Sequence, residues 1–305
     1  MIRRYSAALL LLLILPTTGC LFRSHKVENR MSSATLLIAT QQELIDRINQ
    51  SSAQISTMNA TVDIRAAVGG QKKGKVTEYT EIRGYILAEK PSMLRMIGLV
   101  PVVRNRAFDM VSDGERFKLY VPPKNRFITG RNDVIKPNPN QPLENLRPQH
   151  IYDALLLREI DPQNEVAVLE SSMQDVADPK THKPVQQPNY VINVIRHTSP
   201  EWYLSRKIFF DRSNLLPYKQ IVYDKHGDIA TVADYSNFKP YNGILFPSKI
   251  EIVRPQEEYD IGLSFVDIKL NQPLKPEQFD LQQPPGVQVV HLTNGETATT
   301  ATDDK

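Results

Sequence analysis

The chain of 305 residues contains a single cysteine, Cys20, and a single tryptophan. One thiol cannot form an internal disulfide, so the fold must rest on apolar burial, for which a chain of this length is ample. Long apolar runs are also lacking. The run Leu9 to Leu15 is far short of the ~20 residues a helix needs to cross the hydrocarbon core of a bilayer. Neither sign of charge dominates, with 37 Lys and Arg against 34 Asp and Glu, so the field expected of a nucleic-acid-binding surface is absent. The six histidines, His25, His150, His182, His197, His226 and His291, are scattered without a pair at metal-ligand spacing. No G-x-S-x-G elbow occurs. No catalytic residue, metal or cofactor is expected, and a binding protein fits better than an enzyme.

Two weak motifs are explained by backbone needs. Gly69 to Lys75 spells G-x-x-x-x-G-K, but Val76 stands where a phosphate loop needs Ser or Thr, and β-rich residues follow. It reads as a hairpin loop. His226 lies in Asp224-Lys225-His226-Gly227-Asp228, where Asp and Gly serve a turn.

At the amino terminus Arg3 and Arg4 precede the apolar run, and the small residues Thr17, Thr18 and Gly19 follow it. This is the order of a secretory signal, expected over residues 1–19. Gly19-Cys20 resembles the lipobox of bacterial lipoprotein precursors, although Thr17 stands where that motif usually carries Leu. The resemblance implies that Cys20 becomes the acylated first residue and ties the chain to a membrane. Leu21, in place of Asp, implies export to the periplasmic face of the outer membrane. The absence of any later cysteine suits an oxidising compartment.

Residues 20–39 read as the lipidated cysteine and a polar spacer. A capping-box spacing, Thr40-Gln41-Gln42-Glu43, then opens a helix with Leu44, Ile45, Ile48 and Ile55 on one face. From Thr61 the period becomes two, with Val62, Ile64 and Ala66 alternating with Asp63 and Arg65 up to Gly69-Gly70. Strands are predicted over Gly84 to Leu87, Met93 to Ile97, Arg106 to Val111, Arg116 to Val121 and Arg126 to Thr129. The proline-rich stretch Lys136 to Pro148 is a break, followed by a short helix over Gln149 to Leu157. Strands resume at Glu165 to Leu169 and Tyr190 to Ile195. Gln174 to Asn189, with three prolines, is expected to be a mobile surface loop.

Five further strands follow: Arg206 to Phe210, Tyr218 to Tyr223, Ile229 to Tyr235, Leu245 to Val253 and Tyr259 to Leu270. Turn chemistry separates them. In the last, Ile261, Leu263 and Phe265 fall on one face and Val266, Ile268 and Leu270 on the other, which predicts a bulge near Phe265 or Val266. Residues 291–305 lack an apolar period and are expected to be disordered.

This order resembles the LolA/LolB superfamily of lipoprotein carriers and receptors over roughly Thr40 to Val290. Three stretches carry the likeness: Val111-Ser112-Asp113-Gly114-Glu115-Arg116-Phe117-Lys118-Leu119-Tyr120, Asn271 to Phe279 with Pro284-Pro285-Gly286-Val287, and Met96-Ile97-Gly98-Leu99-Val100-Pro101-Val102. The resemblance implies a mainly β (α+β) fold, a strongly curved antiparallel sheet forming an incomplete β-barrel with helices in its mouth, spanning residues 40–290. It also implies an apolar cavity for acyl chains or lipoproteins, sorting to the outer membrane, and a periplasmic carrier protein as partner. Relatives include regulators, so an envelope-stress sensor or assembly lipoprotein binding a protein is the alternative.

Leu94, Met96, Phe108, Met110, Phe117, Leu119, Phe127, Ile250, Ile252, Leu263 and Phe265 are expected to line the interior, whether as cavity wall or as packed core. The uncharged segment Gly98 to Val102 is either folded onto the core or projecting. By resemblance to receptor-type members, Leu99, Val100, Pro101 and Val102 would touch a membrane, with Arg104 and Arg106 near anionic head groups.

Overall fold

The computed structural model describes residues 31–72, 74–133 and 146–292, and the backbone of 297–300. The expected signal segment, Cys20, residues 136–145 of the proline-rich break and residues 293–296 and 301–305 of the tail lie outside the described residues.

Helix α1 (Gln41–Ala53) starts where the capping box placed it. Glu43 N–H donates to the Thr40 hydroxyl at 3.3 Å and Thr40 N–H donates to the Glu43 carboxylate at 2.7 Å, so two otherwise free amides are satisfied reciprocally. Its apolar face buries Leu44 and Ile48 against Tyr190, Ile192, Ile208 and Phe210.

The strands β1 (Thr57–Gly70), β2 (Lys75–Glu78), β3 (Ile82–Glu89), β4 (Met93–Leu99), β5 (Arg106–Ser112), β6 (Arg116–Val121) and β7 (Arg126–Arg131) precede helix α2 (Pro148–Leu155). After it come β8 (Glu165–Ala177), β9 (Pro184–Thr198), β10 (Glu201–Asp211), β11 (Pro217–Tyr223), β12 (Ile229–Tyr241), β13 (Ile244–Arg254) and β14 (Tyr259–Leu270), and then β15 (Gln288–Leu292) and β16 (Thr297–Thr300). They form one sheet in the order β16-β15-β7-β6-β5-β4-β3-β1-β14-β13-β12-β11-β10-β9-β8, with β2 beside β1. The pairs from β7 round to β9 are antiparallel, and β15 joins β7 in parallel.

Helix α2 shows that the sheet is strongly curved. It touches β4, β5 and β13, although β13 lies five strand steps from β5. In a flat sheet that separation is ~24 Å, against a helix diameter of about 10–12 Å. Only a sheet bent around the helix allows both contacts. Ile151, Ala154 and Leu155 of α2 accordingly share one core with Met96, Met110, Ala233, Ile250 and Leu263. The sheet is mainly β, open and antiparallel, as expected, with both helices against its inner face.

The predicted bulge is present. Thr61 pairs with Asp267 and Val62 with Phe265, so Val266 is the extra residue and points to solvent. The phase change lets Ile261, Leu263 and Phe265 and then Ile268 and Leu270 all face the same core.

Three expectations are corrected. The segment Gln174 to Asn189 is not a loop throughout: β8 runs to Ala177 and β9 starts at Pro184, leaving a turn between. Proline is tolerated there because Pro184 opens its strand and pairing with β10 ends at Asn189, before Pro188 is reached. Residues 174–187 and the described residues 31–34 form a small unit of their own, in which Ser32 N–H donates to the Gln186 carbonyl at 2.9 Å and Ser33 N–H to the Asp178 carboxylate at 2.8 Å.

The tail is not wholly unpaired. His291 and Leu292 belong to β15, and the backbone of 297–300 pairs with it. Local apolar period could not reveal this, since β15 is recruited by the distant edge of β7. Phe127, expected inside, is on the opposite face. In β7 its neighbour Ile128 takes the inner position, and Phe127 packs with Val111, Leu281, Val287 and Val289 under the segment that follows β14.

Candidate functional site

The antiparallel register gathers the 70–75, 79–81, 99–106, 121–126 and 254–259 connections at one end of the sheet. Here the wall is deliberately loosened. β3 pairs with β1 only from Thr57 to Ile64, and from Ala67 onward β2 takes its place. Where the two partners change over, β1 carries the small residues Ala66 and Ala67. The space left is an apolar cavity of about 410 Å³. Ile64, Met96, Met110, Leu119, Ile151 and Ile261 are among its walls. That volume falls within the ~300–1,000 Å³ of ligand sites. Gly98 shapes one wall, because a Cβ there would strike the ring of Phe108.

Tyr79, Thr80, Pro123 and Lys124 form the exposed rim. Lys124 supplies the one cationic side chain of the lining, and among the described residues it makes no ion pair. Asp260 also borders the cavity. Strand alternation, however, turns its carboxylate outward beside Glu251 and Arg65, because the inner face is taken by Tyr259 and Ile261. Tyr259 is 3% exposed, and its buried hydroxyl lies beside the Arg147 backbone and the Arg254 and Glu257 side chains. Burial pushes that hydroxyl up to about 12, keeping it a protonated donor.

Beside the rim, β4 and β5 are joined by a tight turn in which Val100 N–H donates to the Asn105 carbonyl at 2.8 Å and Arg104 N–H to the Val100 carbonyl at 3.0 Å. Leu99 remains in β4 and is half-buried, while Val102 and Val103 stand 97% and 63% exposed. The choice left open by the sequence is therefore split within the segment: its first residues belong to the wall and its tip projects.

The chain is similar in fold to a LolA superfamily protein from Nitrosomonas europaea, at 16% identity over 80% of this chain and 99% of that one, with a TM-score of 0.48. It is also similar to a putative outer membrane lipoprotein-sorting protein domain from Vibrio parahaemolyticus, at 14% identity over 78% and 95% of the two chains, with a TM-score of 0.47. A family profile described as "Uncharacterized protein" matches residues 169–283. No curated protein matches the chain.

Of the expected interior residues, the structure brings Met96, Phe108, Met110 and Leu119 to the cavity. Leu94, Phe117, Ile250, Ile252, Leu263 and Phe265 pack into the continuous core instead, and Phe127 lies outside it. Sequence reasoning missed the contributions of Tyr79, Lys124 and Tyr259. The alternation of Ile64, Ala66 and Val68 in β1 was a usable signal for the opposite wall. A second space of about 230 Å³ lies between α1 and α2 at the other end of the sheet, lined by Ile48, Leu155, Phe210 and Phe246 among others.

Polar groups elsewhere are structural. Among the described residues no three His, Cys, Asp or Glu side chains are grouped for a metal. Glu165, a buried carboxylate, is surrounded by Arg158 at 2.6 Å, Arg196 at 3.0 Å and Arg206 at 3.4 Å, which leaves it satisfied. His226 is an exposed turn residue whose N–H donates to Asp224 at 2.9 Å.

Proposed function

We propose that this chain is an envelope lipoprotein, tethered through lipid on Cys20, that holds acyl chains of lipids or lipoproteins in the cavity between β1, β4, β5, β6 and α2. The observation that carries this reading is the cavity itself: an apolar space of about 410 Å³ open at a rim beside an exposed apolar turn. Water gains little in a space with so few polar partners, whereas each methylene transferred there gains about 0.8 kcal/mol. The turn at Val102 and Val103 lies where a lipid surface could deliver or receive the chain. In this reading the protein acts in lipid or lipoprotein sorting at the periplasmic face of the outer membrane, receives cargo from a periplasmic carrier protein, and performs no chemistry on it.

Native mass spectrometry of the purified chain tests the reading. Bound phospholipid or acylated peptide is expected on the wild type and reduced on Ala66→Phe, whose ring would occupy the space beside Ile64 and Val68. A wild-type protein that carries and takes up no acyl ligand would end the proposal.

A second reading, binding of a protein partner as sensor or assembly subunit, draws on the exposed Val166 and Val168 of β8, at the sheet edge. The Gln41 side chain already donates to the Ala167 carbonyl at 3.1 Å and accepts from Leu169 N–H at 3.2 Å, which occupies edge groups an added strand would need. The cavity reading is therefore preferred.

A further inference from the structure

Alternation along the antiparallel strands puts the 223–229 turn, the 198–201 turn and the start of β8 at the same end of the sheet as the cavity mouth. On the outer face at this end the sheet is apolar. Trp202 is 56% exposed, its ring stacked on His197 at a centroid distance of 4.6 Å. Leu204 and Ile195 pair beside them, on the face opposite the core residues Val194 and Ile208. Exposed Val166 and Val168 extend the surface on β8, where Ala167 and Leu169 take the core side, and exposed Ile229 extends it on β12 opposite Tyr223. An antiparallel sheet with one wet face ordinarily turns polar residues outward, so apolar side chains grouped there mark a contact surface.

The outline of the surface indicates what it meets. Charge first appears on this face at Glu170 in β8, Lys207 in β10, Lys219 in β11 and Asp234 in β12, in each case four to six residues in from the end of its strand. These charges pair with one another, Lys207 with Glu170 at 3.4 Å and Lys219 with Asp234 at 3.1 Å, so the border carries no net charge. A protein partner would cut the apolar area to its own shape, whereas a flat lipid surface cuts it at one depth along the end of the sheet. The amphipathic indole of Trp202 also suits the boundary between head groups and acyl chains. The exposed tip at Val102 and Val103 stands at the same end.

We propose that the outer band centred on Trp202 is a membrane-docking surface, which seats in the interfacial layer of a bilayer by apolar contact and holds the cavity mouth at the lipid. From the reading above it takes only the placement of the chain at a membrane, and it does not depend on what fills the cavity.

Trp202 is the sole tryptophan of the chain, so its emission reports this surface without a label. The full chain is mixed with phosphatidylcholine vesicles whose acyl chains are plain or brominated, the vesicle-bound fraction is isolated by flotation, and tryptophan emission is read. Plain vesicles should shift the emission to the blue and bromine should quench it by about twofold or more, as an indole at the acyl boundary requires. High salt and added phosphatidylglycerol should leave the quenching unchanged, because the contact uses no charge. Val168→Glu combined with Ile229→Glu should lose most of the quenching at an unchanged thermal midpoint, both side chains being exposed. The wild-type comparison stands whether or not that double variant folds. Equal emission from vesicle-bound chain on plain and brominated lipid would overturn the proposal and leave the acyl-binding reading, tested by native mass spectrometry, untouched. Quenching that persists in a folded double variant or disappears in high salt would also overturn it. So would a blue shift that grows with chain concentration without vesicles, which would mark a second copy on this face. A chain that does not float with the vesicles would overturn both the surface and the anchor.

Discussion

Arg95 and Asp109 form a two-point ion pair on the outer face of β4 and β5, with Arg95 Nε and Nη2 donating to the two carboxylate oxygens at 3.0 and 2.8 Å. Asp109 is fully buried, and Arg95 Nη1 also donates to the Gln278 carbonyl at 2.8 Å. The pair therefore pins the segment after β14 across the sheet, where Leu281, Val287 and Val289 cover Phe127.

Removing the carboxylate leaves a guanidinium unpaired beneath this segment. Asp109→Ala should lower stability by about 3–5 kcal/mol in urea unfolding. Arg106→Ala, which removes the more exposed partner of the same carboxylate, should cost less than about 1 kcal/mol. Near-equal losses would show that the buried and exposed arms are not distinct.

Acid should destabilise the fold through His150. Burial first, and then Arg254 and Arg147, hold its imidazole well below the ordinary histidine value, and its Nδ1 is buried without a hydrogen bond. The native ring stays neutral while the unfolded ring takes a proton, so stability is present above the unfolded value of about 6.5 and is lost as pH falls below it. The slope is at most about 1.4 kcal/mol per pH unit. Unfolding free energies measured from pH 7 to 5 should fall less steeply for His150→Gln than for the wild type.

The projecting turn can be tested with paired readouts. Val102 holds a φ of 68°, a left-handed conformation that costs a β-branched residue about 1–2 kcal/mol. Val102→Gly should relieve part of this and raise the thermal midpoint, yet weaken binding to liposomes if the tip meets lipid as proposed. Val102→Glu should weaken liposome binding more and change stability little. Unchanged vesicle binding in both variants would remove the membrane-contact role.

The anchor is tested at Cys20. Cys20→Ala is expected to abolish incorporation of radioactive palmitate and to leave the precursor uncut by the lipoprotein peptidase. Continued labelling of that variant would sink the lipoprotein assignment.

The elements legible in the sequence are those that local chemistry specifies. Thr40 and Glu43 announce the start of α1 because their side chains satisfy the helix's own first amides. The two faces of β14 announce the bulge at Val266 because a one-residue insertion is the way a strand changes phase against a core. The strands Arg116–Val121 and Tyr259–Leu270 could be bounded to the residue, since turn residues flank each alternating run.

What the sequence alone determined is most of the strands up to β14, the opening helix and which residues of a strand share a face. Only the tertiary structure decided what covers each face. Alternation separates Phe127 from Ile128, but it is the returning segment with Leu281 and Val287 that makes the outer side of β7 a second apolar cluster. Likewise Met110 and Leu263 are equally apolar inner residues, and only one lines the cavity, because β1 exchanges β3 for β2 over the small side chains of Ala66 and Ala67 at one end of the sheet. Periodicity is set within a few residues, whereas a void or a covered face depends on how far apart distant strands come to rest.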